Sequence, residues 1–236
     1  MRLEAVAFDV ADAHAAAAFW AGLLDREVVT EPGAALVPGD PTQVGLRFVT
    51  SERRRAGRPS LHLHVTSRSL DDQQRIVAAA LRLGGRPHEV GQTGEEGFVV
   101  LADPEGNELC VIEPGNTYLA GTGDLGEVTC EGTRAVGLFW RAALRWLLVW
   151  DEGEQTAIQS PSGGTKIAWD SWDGSPAEPQ EPRNGQRFDL LSTDLAVDRE
   201  RLLSLGATFV RPLAAGVQLL DPDGSPFTLR LDHKTE

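Results

Sequence analysis

Cysteine is almost missing from this chain. The only two, Cys110 and Cys130, form no CxxC pair and read as reduced thiols of a core or a pocket. Long apolar runs are missing too. No stretch approaches the roughly 20 residues that span a bilayer, and the longest candidate, 142–150, is broken by Arg145. Positive charge is scarce: 22 Lys and Arg stand against 35 Asp and Glu, a formal net charge of −13. Phosphate backbones need a basic surface, so a nucleic-acid partner is not expected. The opening MRLEAVAFDVADAH carries acids where a signal peptide needs a basic and then an apolar run. The expectation is a cytoplasmic protein with no membrane partner. One basic run, Arg53-Arg54-Arg55, reads as a solvated loop, with an anion clamp as the alternative.

What the chain does have is an internal repeat. Residues 99–112 read VVLADPEGNELCVI and 217–231 read VQLLDPDGSPFTLRL, so a DPxG tetrad flanked by apolar runs occurs twice. Ahead of each tetrad a helix ends in Leu-Gly, at LRLGGRP (81–87) and LSLGATFVRP (203–212). Each half also opens on a matched helix, AAAAFWAGLL (15–24) and AVGLFWRAAL (135–144). Repetition of this kind decides architecture before single residues do. The expected division is 1–115 and 124–236, joined by a linker at 116–123 rich in Gly and Thr.

Within the first half, EAVAFDV (4–10) alternates as a half-buried strand, and Asp12 stands where a helix cap is needed for 13–24. After turns at Pro32-Gly33 and Pro38-Gly39, QVGLRFV (43–49) is a strand. The plan then recurs: strand LHLHV (61–65), helix 70–83 stopped by Gly84-Gly85, and strands near 87–90, 97–102 and 108–113. The second half is expected to follow with strand 125–130 and helix 133–147, then strands near 155–158, 165–169 and 187–193. It closes with helix 197–205 and strands 207–210, 216–220 and 226–231. Its Pro- and acid-rich stretch 171–186 reads as a mobile loop.

The AFWAGLL helix, the LHLHV strand with its helix ending LRLGG, and the closing LADPEGNELCVI together resemble the vicinal oxygen chelate superfamily. This is the group of glyoxalase I, extradiol dioxygenases and bleomycin-binding proteins, and the likeness is to its glyoxalase-like branch. The resemblance implies an α+β fold of four βαβββ modules. They would form two cupped mixed β-sheets with helices on the convex side. It also implies a divalent metal held by one ligand from each of four strands. Those places fall on Ala5, Arg47, His62 and Cys110 in the first half. In the second they fall on Leu125, Lys166 or Ala168, Arg187 and Thr228. Such a site takes oxygen and imidazole ligands, and of these places only His62 is a clear match, so the superfamily's metal is not expected in either cup.

Strand alternation puts His62 and His64 on one face, opposite Leu61, Leu63 and Val65. Asp9, Arg47, Glu108 and Cys110 are expected to point into the same first cup. Three readings stay open: a metal triad of His62, His64 and Glu108 holding Zn, Ni, Mn or Fe; a metal-free acid–base pair; and a non-catalytic polar lining. Cys110 reads as an inert thiol rather than a nucleophile. Arg187 and Asp189 replace the histidines in the second half, as an anion site or an ion pair. Of the six Trp, Trp20 and Trp140 read as core, whereas Trp169 and Trp172 border the 171–186 loop and are expected near the mouth of the second cup. The preferred reading is a cofactor-free protein that sequesters or senses a small, partly aromatic ligand. Asp9, Arg47, His62, His64, Cys110, Trp169 and Arg187 would line its site. The alternatives are a metal-dependent lyase, isomerase or dioxygenase using His62, His64 and Glu108, and a partner protein with filled cups. Monomer and homodimer are both open.

Overall fold

The computed structural model describes residues 1–52, 60–91, 93, 96–171 and 185–232. Arg53-Arg54-Arg55, Trp172 and most of the 171–186 loop lie outside the described residues. Four βαβββ modules follow one another. The first is β1 (Arg2–Val10), α1 (Ala13–Leu24), β2 (Val29–Glu31), β3 (Ala34–Val37) and β4 (Gly45–Thr50). The second is β5 (Leu61–Val65), α2 (Leu70–Arg82), β6 (Arg86–Pro87), β7 (Val99–Ala102) and β8 (Glu108–Val111). The third is β9 (Leu125–Glu131), α3 (Arg134–Leu144), β10 (Leu147–Glu152), β11 (Gln155–Gln159) and β12 (Lys166–Asp170). The fourth is β13 (Gln186–Ser192), α4 (Leu195–Ser204), β14 (Thr208–Leu213), β15 (Gly216–Leu220) and β16 (Pro226–Leu231).

Local chemistry sets the helix limits. Asp12 caps α1 by accepting from the amides of His14 and Ala15, both at 3.0 Å, and Thr133, Ser69 and Asp194 cap the other three. α3 is shorter than expected, because Arg145 takes a left-handed conformation (φ 58°) and turns the chain into β10. Asp25 does the same (φ 52°) after α1. Both repeats thus end this helix on a non-glycine left-handed residue, where glycine is usual, so the stop carries no glycine signal in the sequence. Pro226 is tolerated because it is the first residue of its strand.

The strands make two eight-stranded mixed sheets, but the halves of the sequence and the sheets do not coincide. One sheet runs β14-β15-β16-β13-β1-β4-β3-β2, and the other β10-β11-β12-β9-β5-β8-β7-β6. The first module therefore shares a sheet with the fourth, and the second with the third. In each module the first strand pairs parallel with the last, as β1 does with β4 and β5 with β8, which leaves its other edge open. That edge is closed by the first strand of another module, antiparallel: β1 on β13 and β5 on β9. The expectation that Asp9 and Arg47 share a cup with His62, His64, Glu108 and Cys110 is corrected by this pairing.

Modules of the same half meet instead through the helix-bearing side. Val6, Phe8, Leu61, Leu63, Val128 and Phe188, from strands of both sheets, belong to one continuous core with Trp20 and Trp140. Two glutamines also stitch the sheets. Gln186 Oε1 accepts from the amides of Ser60 (2.9 Å) and Leu61 (3.1 Å), and its Nε2 donates to Leu61 O. Gln43 does the same for Leu125 N and Thr122 O.

Candidate functional site

β5 supplies the centre of the second sheet's cup. Leu61, Leu63 and Val65 face the core, so the two-residue strand period turns His62 and His64 to the concave side. Their Nε2 atoms lie 3.0 Å apart. His64 Nδ1 is 2.9 Å from Glu127 Oε2, and His62 Nδ1 is 4.0 Å from Glu108 Oε1. Both imidazoles thus have a carboxylate on the outer side and each other on the inner side. Glu127 is further held by Tyr118 Oη (2.6 Å) and Thr129 Oγ1 (3.1 Å). Lys166 Nζ stands 3.9 Å over the Tyr118 ring and donates to that residue's carbonyl. Cys110 lies opposite His64 across the β5–β8 pairing.

Burial sets the protonation states of this floor. Desolvation, and then the neighbouring His64, push the His62 imidazolium down to about 3, so His62 is neutral at ordinary pH. Burial, followed by Glu108 and Glu127, pushes the Cys110 thiol up to about 12. Such a thiol keeps its proton at ordinary pH unless a bound cation displaces it. Burial also raises Glu108, with His88 and His64 working against it. For Glu127 burial acts upward too, but the hydrogen bonds from His64, Tyr118 and Thr129 prevail and its pKa is lowered.

Above this floor is a cavity of about 520 Å³. Its wall is apolar, with Val90, Phe98, Val100, Ile112 and Leu119 beside Tyr118. The volume falls in the range of small-molecule sites, and an apolar wall over a few convergent polar groups is their usual form. Trp150, half-exposed on β10, meets the Tyr118 ring edge-on at 5.9 Å.

The first sheet's cup has the same register and other contents. Ala7 stands beside Arg47 as His64 stands beside Cys110. Arg47, 3% exposed, reaches Asp189 (2.8 Å), Glu31 (2.8 Å) and Glu4 (2.9 Å). Arg230 joins Glu4 at 2.9 Å, and Thr228 Oγ1 donates to Asp189 at 2.6 Å. Burial opposes the Arg47 charge, yet Glu31, Asp189 and Glu4 together raise its pKa above the ordinary value. A guanidinium and its counter-ions occupy the centre of this cup, and a divalent cation is not accommodated there.

Several expected site residues are placed elsewhere. Asp9 and Arg187 form an ion pair at 2.7 Å between the first and fourth modules. Trp169 is not at a cup mouth. It is 2% exposed and packs edge-on against Phe188, because on β12 it alternates to the core side with Ile167. Trp169 and Arg187 border a cavity of only about 30 Å³, the space of one water. Glu108 faces His62 Nδ1, not the two facing Nε2 atoms, so Cys110 stands where the expected triad had a carboxylate. Glu127, Tyr118 and His88 were missed. The alternation of GEVTCE in β9 turns Glu127 and Thr129 to the concave side, but assigning that strand to the other cup hid them.

A family profile described as Glyoxalase-like domain matches residues 5–112 and 127–230. No curated protein sequence matches the chain. Among solved structures, glyoxalase I from Zea mays superposes with a TM-score of 0.66 at 15% identity, over 97% of this chain and 92% of that one. A putative dioxygenase from Bacillus subtilis gives 0.59 at 14% identity, over 99% and 86%. At such identities the likeness speaks for the fold alone. With the profile covering most of both halves, the chain belongs to the glyoxalase-like family.

Proposed function

We propose that this protein binds a small, partly aromatic molecule in the cup of the second sheet, to sequester or sense it. Binding would not use the four-strand metal centre that the superfamily resemblance implies. The observation that carries this reading is the roughly 520 Å³ cavity with its apolar wall and hydrogen-bonding floor. Glu108 and Glu127 in that lining favour a neutral or cationic ligand over an anionic one. The metal-dependent enzyme using His62, His64 and Glu108 has less support, since Glu108 is turned to the far nitrogen of His62.

A thermal-shift screen of neutral, cationic and anionic aromatic compounds, followed by calorimetry, tests the reading. Hits among neutral or cationic compounds that weaken at least tenfold in Phe98→Ala and vanish in Val100→Trp support it. Hits that ignore both substitutions, or none at all, overturn it.

A further inference from the structure

A superfamily metal centre in the second sheet would take one donor each from β5, β8, β9 and β12. The places expected there are His62, Cys110, Leu125 and Lys166 or Ala168, with Glu127 on the concave side of the strand that carries Leu125. They do not fit. Lys166 is itself a cation seated over Tyr118, and the Glu127 oxygens are engaged by His64, Tyr118 and Thr129.

A different donor set lies one step along β5. The ligand atoms of His62, His64 and Cys110 all lie within 4.8 Å of one another. We propose that these three residues form a site for a borderline-soft divalent cation of the zinc class, displaced from the four-strand position. Two strand-alternate imidazoles and one thiolate are what such an ion selects, whereas manganese and magnesium prefer oxygen. Two Zn–N bonds of about 2.0–2.1 Å at a tetrahedral angle span roughly 3.3 Å. The Nε2 atoms, now 3.0 Å apart, need to open only slightly.

The surroundings support ligation. Glu127 on His64 Nδ1 sets the tautomer that leaves the Nε2 lone pair facing inward. Glu108 stands on the corresponding side of His62 and, with Glu127, supplies negative charge around the ion. On binding, Cys110 Sγ bonds the cation and its proton passes to solvent, while the proton that His62 Nε2 shares with His64 moves to Nδ1, beside Glu108. The cation would sit in the floor of the same cavity whose wall is proposed to hold the ligand, so the two are measured by separate readouts.

The test is cobalt titration of the chelator-stripped full chain, with zinc competition. Wild type is expected to bind one cobalt ion per chain with a thiolate-to-cobalt charge-transfer band, displaced by zinc. Cys110→Ser, close in size and with folding checked by circular dichroism, loses that band. His64→Ala loses at least tenfold in affinity. Glu127→Gln keeps the band but binds roughly 10–100-fold more weakly, as an outer-shell carboxylate should. No cobalt retained by wild type, or a spectrum unchanged in Cys110→Ser, overturns the assignment. So does a band-free spectrum abolished by Glu108→Gln, which would put the ion on oxygen. Aromatic-ligand binding, measured on the same samples, fails or succeeds separately.

Discussion

Trp20 Nε1 donates a 2.9 Å hydrogen bond to Asp103 Oδ2, tying the helix of the first module to the DPEG turn of the second. Asp103 also accepts from the amides of Glu105 (2.9 Å) and Asn107 (2.8 Å), so one buried carboxylate organises the turn and anchors it. The second half repeats the clasp, with Trp140 Nε1 3.1 Å from Asp221 Oδ2. Glu105 closes on Ala11 N and Asp223 on Thr133 N, both at 2.7 Å. The repeated tetrad is therefore a joint between modules, with no part in the cup chemistry. Asp103→Ala, which strands buried donors, should cost about 2–3 kcal/mol in urea unfolding. A loss below about 0.5 kcal/mol, typical of a surface change, would show that the turn forms without it.

The buried pair Arg47–Asp189 is expected to be structural. Arg47→Met leaves Asp189 buried without its closest guanidinium, so stability should fall by about 3–5 kcal/mol. Cobalt binding by the other cup should persist at one per chain in whatever fraction remains folded. Loss of both together would mean that the cups are coupled.

Trp169→Ala separates a core role from a ligand role. Its packing against Phe188 predicts a loss of about 3–5 kcal/mol by urea unfolding. The compounds that bind wild type should bind the folded variant with the same affinity. A selective loss of ligand affinity at unchanged stability would return Trp169 to the site.

Gln186 is expected to fasten one sheet to the other. Gln186→Leu strips the acceptor from Ser60 N and Leu61 N, and a loss of about 1–3 kcal/mol follows for buried donors. Amide exchange should accelerate at Leu61 before it does at Leu125, where Gln43 still holds. Uniform acceleration would instead indicate global destabilisation alone.

Much of the fold was legible because it is local or repeated. The alternation of LHLHV is enough to put His62 and His64 on the face opposite Leu61 and Leu63. Asp12 announces α1 through a bond only two and three residues long. The end of α3 was not legible, since Arg145 carries no intrinsic preference for the left-handed conformation that it takes. The site was legible only by halves. His62, His64, Glu108 and Cys110 lie in one module, and their common cup follows from strand pairing within it. Glu127, 63 residues beyond His64, belongs to that cup only because β9 closes the open edge of β5.

The sequence by itself determined the repeated order of strand, helix and further strands, the Asp12 cap of the first helix, and which face of LHLHV is apolar, because those depend on neighbours within a few residues. Which module shares a sheet with which was decided by tertiary structure alone. First-strand edges are chemically alike as backbone, and any two could pair by the same hydrogen bonds. The choice rests on packing spread over the whole chain: the shared core, the Gln43 and Gln186 bridges, and the tryptophan–aspartate clasps. That choice gave one cup two imidazoles flanked by carboxylates and filled the other with Arg47.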